Sequence, residues 1–135
     1  RDPLWSRGLG DVYKRQKYEY QYEKTLDVER MKEAASYLIG THDFTSFCGN
    51  KKMKKTAVRT IYEINFTKKG NDLWIDYRGN GFLQNMVRIL TGTLIEVGDG
   101  RRAPEELPQI LESKNRENAG YTAPACGLML MEVHY

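Results

Sequence analysis

Arg88 and Gly92 stand one helical turn apart in GNGFLQNMVRILTGTLIEVG, residues 79–98. A guanidinium carries a planar fork of donors that suits a carboxylate or a phosphate. A glycine in mid-helix costs about 1 kcal/mol relative to alanine. Such a cost is commonly offset by something packing close to the backbone. The pair therefore reads as an arginine with cleared space beside it. The plainer reading is an arginine on the solvated side of an amphipathic helix, and residue types alone do not choose between a carboxylate and a phosphate partner.

A second group is cationic. Lys51, Lys52, Lys54, Lys55 and Arg59 lie in NKKMKKTAVR, and no acidic residue occurs from Phe44 to Tyr62. Charge runs of this length are often solvated loops. The absence of any counter-charge over so long a span favours a loop that contacts phosphate. Overall charge adds little: 21 basic and 18 acidic residues give +3. The thiols are a third possibility. Cys48 and Cys126 stand apart, without CxxC or a His/Cys cluster. A cysteine hydrolase built with His42 or His134 would need a nucleophile signature that neither cysteine has. Two isolated cysteines make no disulfide framework and fit the reducing cytoplasm.

The elements that position these groups follow from hydropathy. Residues 27–39 place Val28, Met31, Ala35 and Leu38 on one helical face, with Asp27 as N-cap and Gly40 as the stop. THDFTSFCG follows as a polar loop pinned by Phe44 and Phe47. Val58, Thr60, Tyr62, Ile64 and Phe66 alternate as a half-buried strand. KKGND turns the chain, and LWIDYR returns as the second strand of a hairpin. In 79–98, Leu83, Met86, Val87, Leu90, Leu94 and Val97 form the core stripe, with Arg88 well away from it. A short helix is expected near 105–113, delayed or kinked by Pro108. LMLMEVHY ends the chain as a strand. The fold class is α+β: a mostly antiparallel sheet with helices packed on one face.

With 135 residues, 40% of them hydrophobic, there is material for one core and too little for two domains. No apolar run approaches the roughly 20 residues of a membrane span, so no membrane partner is expected. Residues 1–16, RDPLWSRGLGDVYKRQ, show no sustained period and resemble a translated adapter or linker. They are set aside as non-native, leaving 17–135 as the domain.

Three motifs together resemble a known family. HDFTSF, then Phe82 to Leu94 as FxxxMVRxxxGxL, then Thr122 to Leu128 as TAPAxGL, are similar to the C-terminal half of the TruA family of tRNA pseudouridine synthases. The resemblance runs from about residue 26 to 135. It implies an isomerase that converts uridine to pseudouridine in the anticodon stem-loop of tRNA, with no cofactor and no metal. It implies that Arg88 pairs with a catalytic aspartate, and that Gly92 leaves room for that partner. Leu128, with Gly127 and Phe82, would bind the substrate base. Lys55 and Arg59 lie where the family carries basic residues near RNA, and Lys51, Lys52 and Lys54 extend that group. The aspartate belongs to a GRTD-type motif in the N-terminal half, which these residues do not contain. The implied protein is therefore a fragment, inactive alone and partnered by that half, and homodimeric at full length. The other class of function left open is a stand-alone, non-catalytic RNA-binding module.

Overall fold

The computed structural model describes residues 13–21, 26–49 and 56–134. Among these residues five antiparallel strands form one sheet: β1 (Tyr13–Gln21), β2 (Gly40–Asp43), β3 (Val58–Lys69), β4 (Asp72–Gly79) and β5 (Leu128–His134). Their order across the sheet is β2-β3-β4-β1-β5. Three α-helices among the described residues accompany it: α1 (Val28–Ser36), α2 (Met86–Gly98) and α3 (Glu106–Ser113). The expected α+β class with a mostly antiparallel sheet is the observed one. Among the described residues no helix is long and apolar enough to cross a membrane.

β4 shows why one face is covered. Its residues alternate, so Leu73, Ile75 and Tyr77 are fully buried while Asp72, Trp74, Asp76 and Arg78 are half-buried on the other face. α2 packs on the buried face, where the Tyr77 hydroxyl meets the Thr91 hydroxyl at 2.7 Å. The opposite face carries ion pairs, Arg15 to Asp76 at 2.5 Å and Arg78 to Glu63 at 3.0 Å, and Lys17 stands 4.7 Å over the Trp74 ring.

Several expectations change at this level. The boundary at residue 16 does not coincide with the fold. β1 begins at Tyr13, and Lys14, Arg15 and Gln16 pair with Gly79, Arg78 and Tyr77. The interior strand β1 is an addition to the expected order, as is β2, whose residues 40–43 read as loop. β2 pairs with β3 through Thr41–Thr60 and His42–Arg59. A four-residue edge strand is too short to display a period.

The β3–β4 hairpin turns at Gly70 and Asn71, as expected from KKGND, with Lys69 opposite Asp72. The single alternating face assigned to β3 is broken. Ile61 faces Gly79 and Glu63 faces Arg78, so Tyr62 is an extra residue in the ladder. This bulge switches the covered side: Ile61 is fully buried, Val58 is 43% exposed, and Ile64 and Phe66 beyond the bulge pack against the core.

α1 starts at the expected cap, where Asp27 Oδ1 accepts from the Arg30 amide at 3.2 Å. It ends earlier, at Ser36, and Gly40 opens β2 with φ +102°. Pro108 neither delays nor kinks α3. It occupies the first turn of 106–113, where the missing N–H would have no helical partner. Phe44 and Phe47 are fully buried and pin the 44–48 loop.

α2 departs most from its expected character. It begins at Met86, not near residue 79, because Asn85 takes the left-handed conformation with φ 60° and ψ 10°. It is also buried nearly all round. Besides the expected stripe, Ile89, Thr91, Gly92, Thr93 and Ile95 are buried. The supposed solvated side is covered by the chain from Asn118 to Pro124, and that covering segment builds the candidate site.

Candidate active site

The segment 118–124 lies along α2 as an extended strap, fastened at each level. The Gly120 amide donates to Thr93 Oγ1 at 2.8 Å, and that hydroxyl donates to the Ile89 carbonyl at 2.9 Å. The Ala123 amide donates to the Arg88 carbonyl at 3.0 Å. Arg116 braces the strap by donating to the Gly120 carbonyl at 2.9 Å and to Thr122 Oγ1 at 3.0 Å. Arg102, paired with Glu96 at 2.5 Å, donates to the Asn118 carbonyl at 3.0 Å. Both ends of the strap are thus tied to one helix.

Gly92 finds its reason here. A Cβ built on it would lie 1.8 Å from the Tyr121 carbonyl oxygen and 2.8 Å from the Tyr121 carbonyl carbon. The glycine admits the strap's backbone. It does not clear space for a partner of the guanidinium, so that expectation is corrected: close approach was the right principle, and the approaching group is a carbonyl of this chain.

Arg88 sits in the first turn of α2 and is half-buried. Its Nε donates to the Ala123 carbonyl at 2.7 Å and its Nη1 to Asn85 Oδ1 at 3.0 Å. Both acceptors are neutral. Among the described residues it makes no ion pair, whereas Arg15, Arg78 and Arg102 each hold a carboxylate. The arginine is fixed in direction, and among the described residues no carboxylate pairs with its charge. That arrangement leaves donors available for an anion brought from elsewhere.

The strap carries on into the turn 125–127 and then β5. The Tyr18 hydroxyl donates to the Pro124 carbonyl at 2.6 Å. Tyr18 also stands opposite Leu128 in the β1–β5 ladder. Gly127 lies against β1: a Cβ there would fall 2.5 Å from the Glu19 carbonyl and 2.8 Å from the Tyr18 ring. Tyr18, Glu19, Tyr20, Pro124, Cys126 and Gly127 line an open cavity of about 390 Å³, within the size range of small-molecule sites. Arg88, Gly127 and Leu128 therefore belong to one neighbourhood, joined through Ala123, Pro124 and Tyr18. Leu128 is half-buried against the core. Phe82 packs on Gly79 at the far end of β4, with ring atoms 3.5 Å from the position of a Cβ there.

The basic group divides. Lys51, Lys52, Lys54 and Lys55 lie outside the described residues. Arg59 is half-buried on β3, and its Nη1 donates to the carbonyls of Thr56 and Val58 at 2.7 and 2.8 Å. Its Nε lies 3.5 Å from where a Gly81 Cβ would stand. Gly49, at the other end of the lysine segment, donates its amide to the Gln84 carbonyl at 2.8 Å. Both ends of that segment thus rest on the loop leading into α2.

The cysteine hydrolase gains no support. Cys48 is buried. The His42 ring is engaged with the Ile39 carbonyl at 2.9 Å and edge-on with Phe44. Cys126 is exposed at the cavity mouth.

Tyr18, Tyr20 and Asn85 join the site without a chemical motif of their own in the sequence. Alternation of tyrosine with polar residues in KYEYQY was the available signal for the first two. Tyr18 is 2% exposed, and its phenol is pushed up to about 12, first by burial, then by Cys126 and Tyr121, with Arg88 pulling the other way. Burial likewise raises Tyr77 and Tyr121. The sign follows directly. A phenol whose folded value exceeds its unfolded value of about 10 keeps its full stabilisation below pH 10 and loses it as pH rises towards 12. Denaturation midpoints should therefore fall between pH 10 and 12. In absorbance at 295 nm, part of the nine-tyrosine signal should appear late, together with unfolding. A single titration near pH 10 with an unchanged midpoint would contradict this placement of Tyr18.

The sequence patterns and this geometry meet in the comparison with known proteins. The family model described as tRNA pseudouridine synthase matches residues 34–135. The chain belongs to the tRNA pseudouridine synthase family. It is 51% identical over 127 residues to the tRNA pseudouridine synthase A of Brevibacillus brevis, covering 94% of this chain and 52% of that protein. With the tRNA pseudouridine synthase A of Bacillus subtilis it shares 50% identity over 125 residues, 93% of this chain and 50% of the other. A Bacillus cereus relative, tRNA pseudouridine synthase A 1, matches to the same extent. The chain spans about half the length of the curated relatives it matches. The family match covers α2, the strap and β5, the elements that hold Arg88, Gly127 and Leu128.

Proposed function

We propose that these residues form the RNA-binding, active-site-completing half of a tRNA pseudouridine synthase, an isomerase acting on uridine in the anticodon stem-loop. The observation that carries this reading is Arg88: a guanidinium held in place by two neutral acceptors, with no carboxylate partner among the described residues. In the proposed enzyme it pairs with a nucleophilic aspartate supplied by the N-terminal half. An opposite charge within about 4–6 Å lowers a carboxylate's pKa and fixes its position. The aspartate bonds to the nucleoside as the base detaches from its nitrogen; the base turns and rejoins through carbon, releasing the aspartate, while the proton lost from that carbon is balanced by one taken up at the freed ring nitrogen. The target uridine must first leave the stack. Gly127 and Leu128 would border the uracil pocket, with Phe82 a more distant contributor by its position on Gly79. The reading places the protein in the cytoplasm with its tRNA, as a homodimer at full length, working without a cofactor.

Reconstitution tests it. Joined to an N-terminal half that bears the family's aspartate, the chain should convert uridine to pseudouridine in an anticodon stem-loop. Alone it should convert none. Conversion by the 135 residues alone would overturn the division of labour. Binding of tRNA with no conversion in the joined protein would favour the stand-alone RNA-binding module.

The lysine segment supplies a separate test. Affinity of the joined protein for tRNA should fall with salt. Replacing Lys51, Lys52, Lys54 and Lys55 together should flatten the slope of log affinity against log salt by roughly 0.7–0.9 for each phosphate that is no longer neutralised. An unchanged slope would return these lysines to a solvated surface loop.

A further inference from the structure

Asn85 stands at the N-cap of α2, a position where an asparagine side chain ordinarily accepts from first-turn amides. Here it makes no such cap. It also holds φ 60°, a conformation that asparagine tolerates better than most residues but that remains uncommon. Both departures serve one interaction: Oδ1 accepts from Arg88 Nη1 at 3.0 Å. The other side of the amide is closed by Gly49. A Cβ at that glycine would lie 2.9 Å from Asn85 Nδ2 and 3.3 Å from its Cβ, and the Gly49 amide is bonded to the preceding carbonyl, Gln84, at 2.8 Å. The amide thus lies between Gly49 and the guanidinium, on a residue that is itself exposed.

We propose that Asn85 is a positioning residue. It gives up capping to fix the rotation of the Arg88 guanidinium, which the Ala123 carbonyl alone holds only through Nε. One bond to Nε leaves the plane of the fork free to turn; a second bond to Nη1 sets it. The role of that plane in catalysis rests on the function proposed above, but the positioning itself does not.

Nitrogen-15 spectra of the 135-residue chain test the positioning directly. The Arg88 Nε–Hε signal, assigned by its disappearance in Arg88→Lys, should show the heteronuclear NOE of ordered backbone. In Asn85→Gly the left-handed conformation is kept without strain, so the thermal midpoint should hold or rise while the Arg88 NOE falls below that of ordered backbone, stopping short of an exposed arginine because the Ala123 carbonyl still holds Nε. Asn85→Asp retains an acceptor and should keep the NOE high. Asn85→Ser, whose shorter side chain lacks the amide and is strained at φ 60°, should lower the midpoint and also lower the Arg88 NOE. An Arg88 NOE equally high in Asn85→Gly and Asn85→Ser overturns the proposal, as does a mobile Arg88 in the unaltered chain. In the joined enzyme, Asn85→Gly should lower kcat by about tenfold to a hundredfold with KM near unchanged. A reduced NOE in Asn85→Gly, without any pseudouridine formation by the unaltered joined enzyme, would sink the functional reading and leave the positioning standing.

Discussion

Gly92→Ala should lower the thermal midpoint, on the order of 10 °C, and Gly92→Leu should lower it further or prevent folding. Helix propensity alone points the other way, since alanine is favoured over glycine by about 1 kcal/mol in a helix interior. The strap decides the sign. The first atom of any side chain at residue 92 would stand 1.8 Å from the Tyr121 carbonyl oxygen. Neither partner can yield cheaply. The Tyr121 carbonyl is flanked by Gly120, bonded to Thr93, and by Ala123, bonded to Arg88. Overpacking typically costs about 1–3 kcal/mol and more where backbone must move. Here the cost should be about 3 kcal/mol or more after the propensity gain. Melting followed by circular dichroism checks it, and a raised midpoint in Gly92→Ala would mean that the strap does not lie on α2. Substitution at position 92 should therefore act on folding before it acts on the guanidinium of Arg88.

Arg88→Ala in the joined enzyme should lower turnover on the order of 1,000-fold, about 4 kcal/mol of transition-state stabilisation. The aspartate would lose its charge partner and its orientation together. The fold should suffer far less, though not negligibly. The substitution leaves the Ala123 carbonyl and the Asn85 amide oxygen without a donor, at about 1–2 kcal/mol for the pair, because water reaches a half-buried site. Arg88→Lys should restore only part of the rate, as an ammonium supplies charge without the planar fork. Single-turnover kinetics beside thermal melts separate the two effects. Near-normal rates in Arg88→Ala would make the arginine a strap fastener and nothing more. Complete unfolding would assign it to the structure.

The sequence by itself determined the parts of this protein whose information is local. The β3–β4 hairpin was legible because LWIDYR alternates and KKGND turns. α1 was legible because Asp27 caps it and Met31, Ala35 and Leu38 share a face. The α+β class followed from the order of helices and strands that hydropathy gave, and the family from HDFTSF, FxxxMVRxxxGxL and TAPAxGL. Arg88 could be picked out by the glycine one turn on. What lay beyond reach was set by interactions distant in sequence. β1 pairs between β4 and β5, neither of them its neighbour in the chain, and no pattern within 13–21 dictates that interior place. The bulge at Tyr62 moved the covered face of β3 because pairing with β4, not the alternation of β3, sets which side meets the helices. The side of α2 that carries Arg88 and Gly92 looked solvated on a helical wheel, and only the tertiary structure laid 118–124 across it. A wheel records which residues share a face. It holds no term for a backbone arriving from about 30 residues away, and that backbone is what gives Gly92 its purpose and Arg88 its direction.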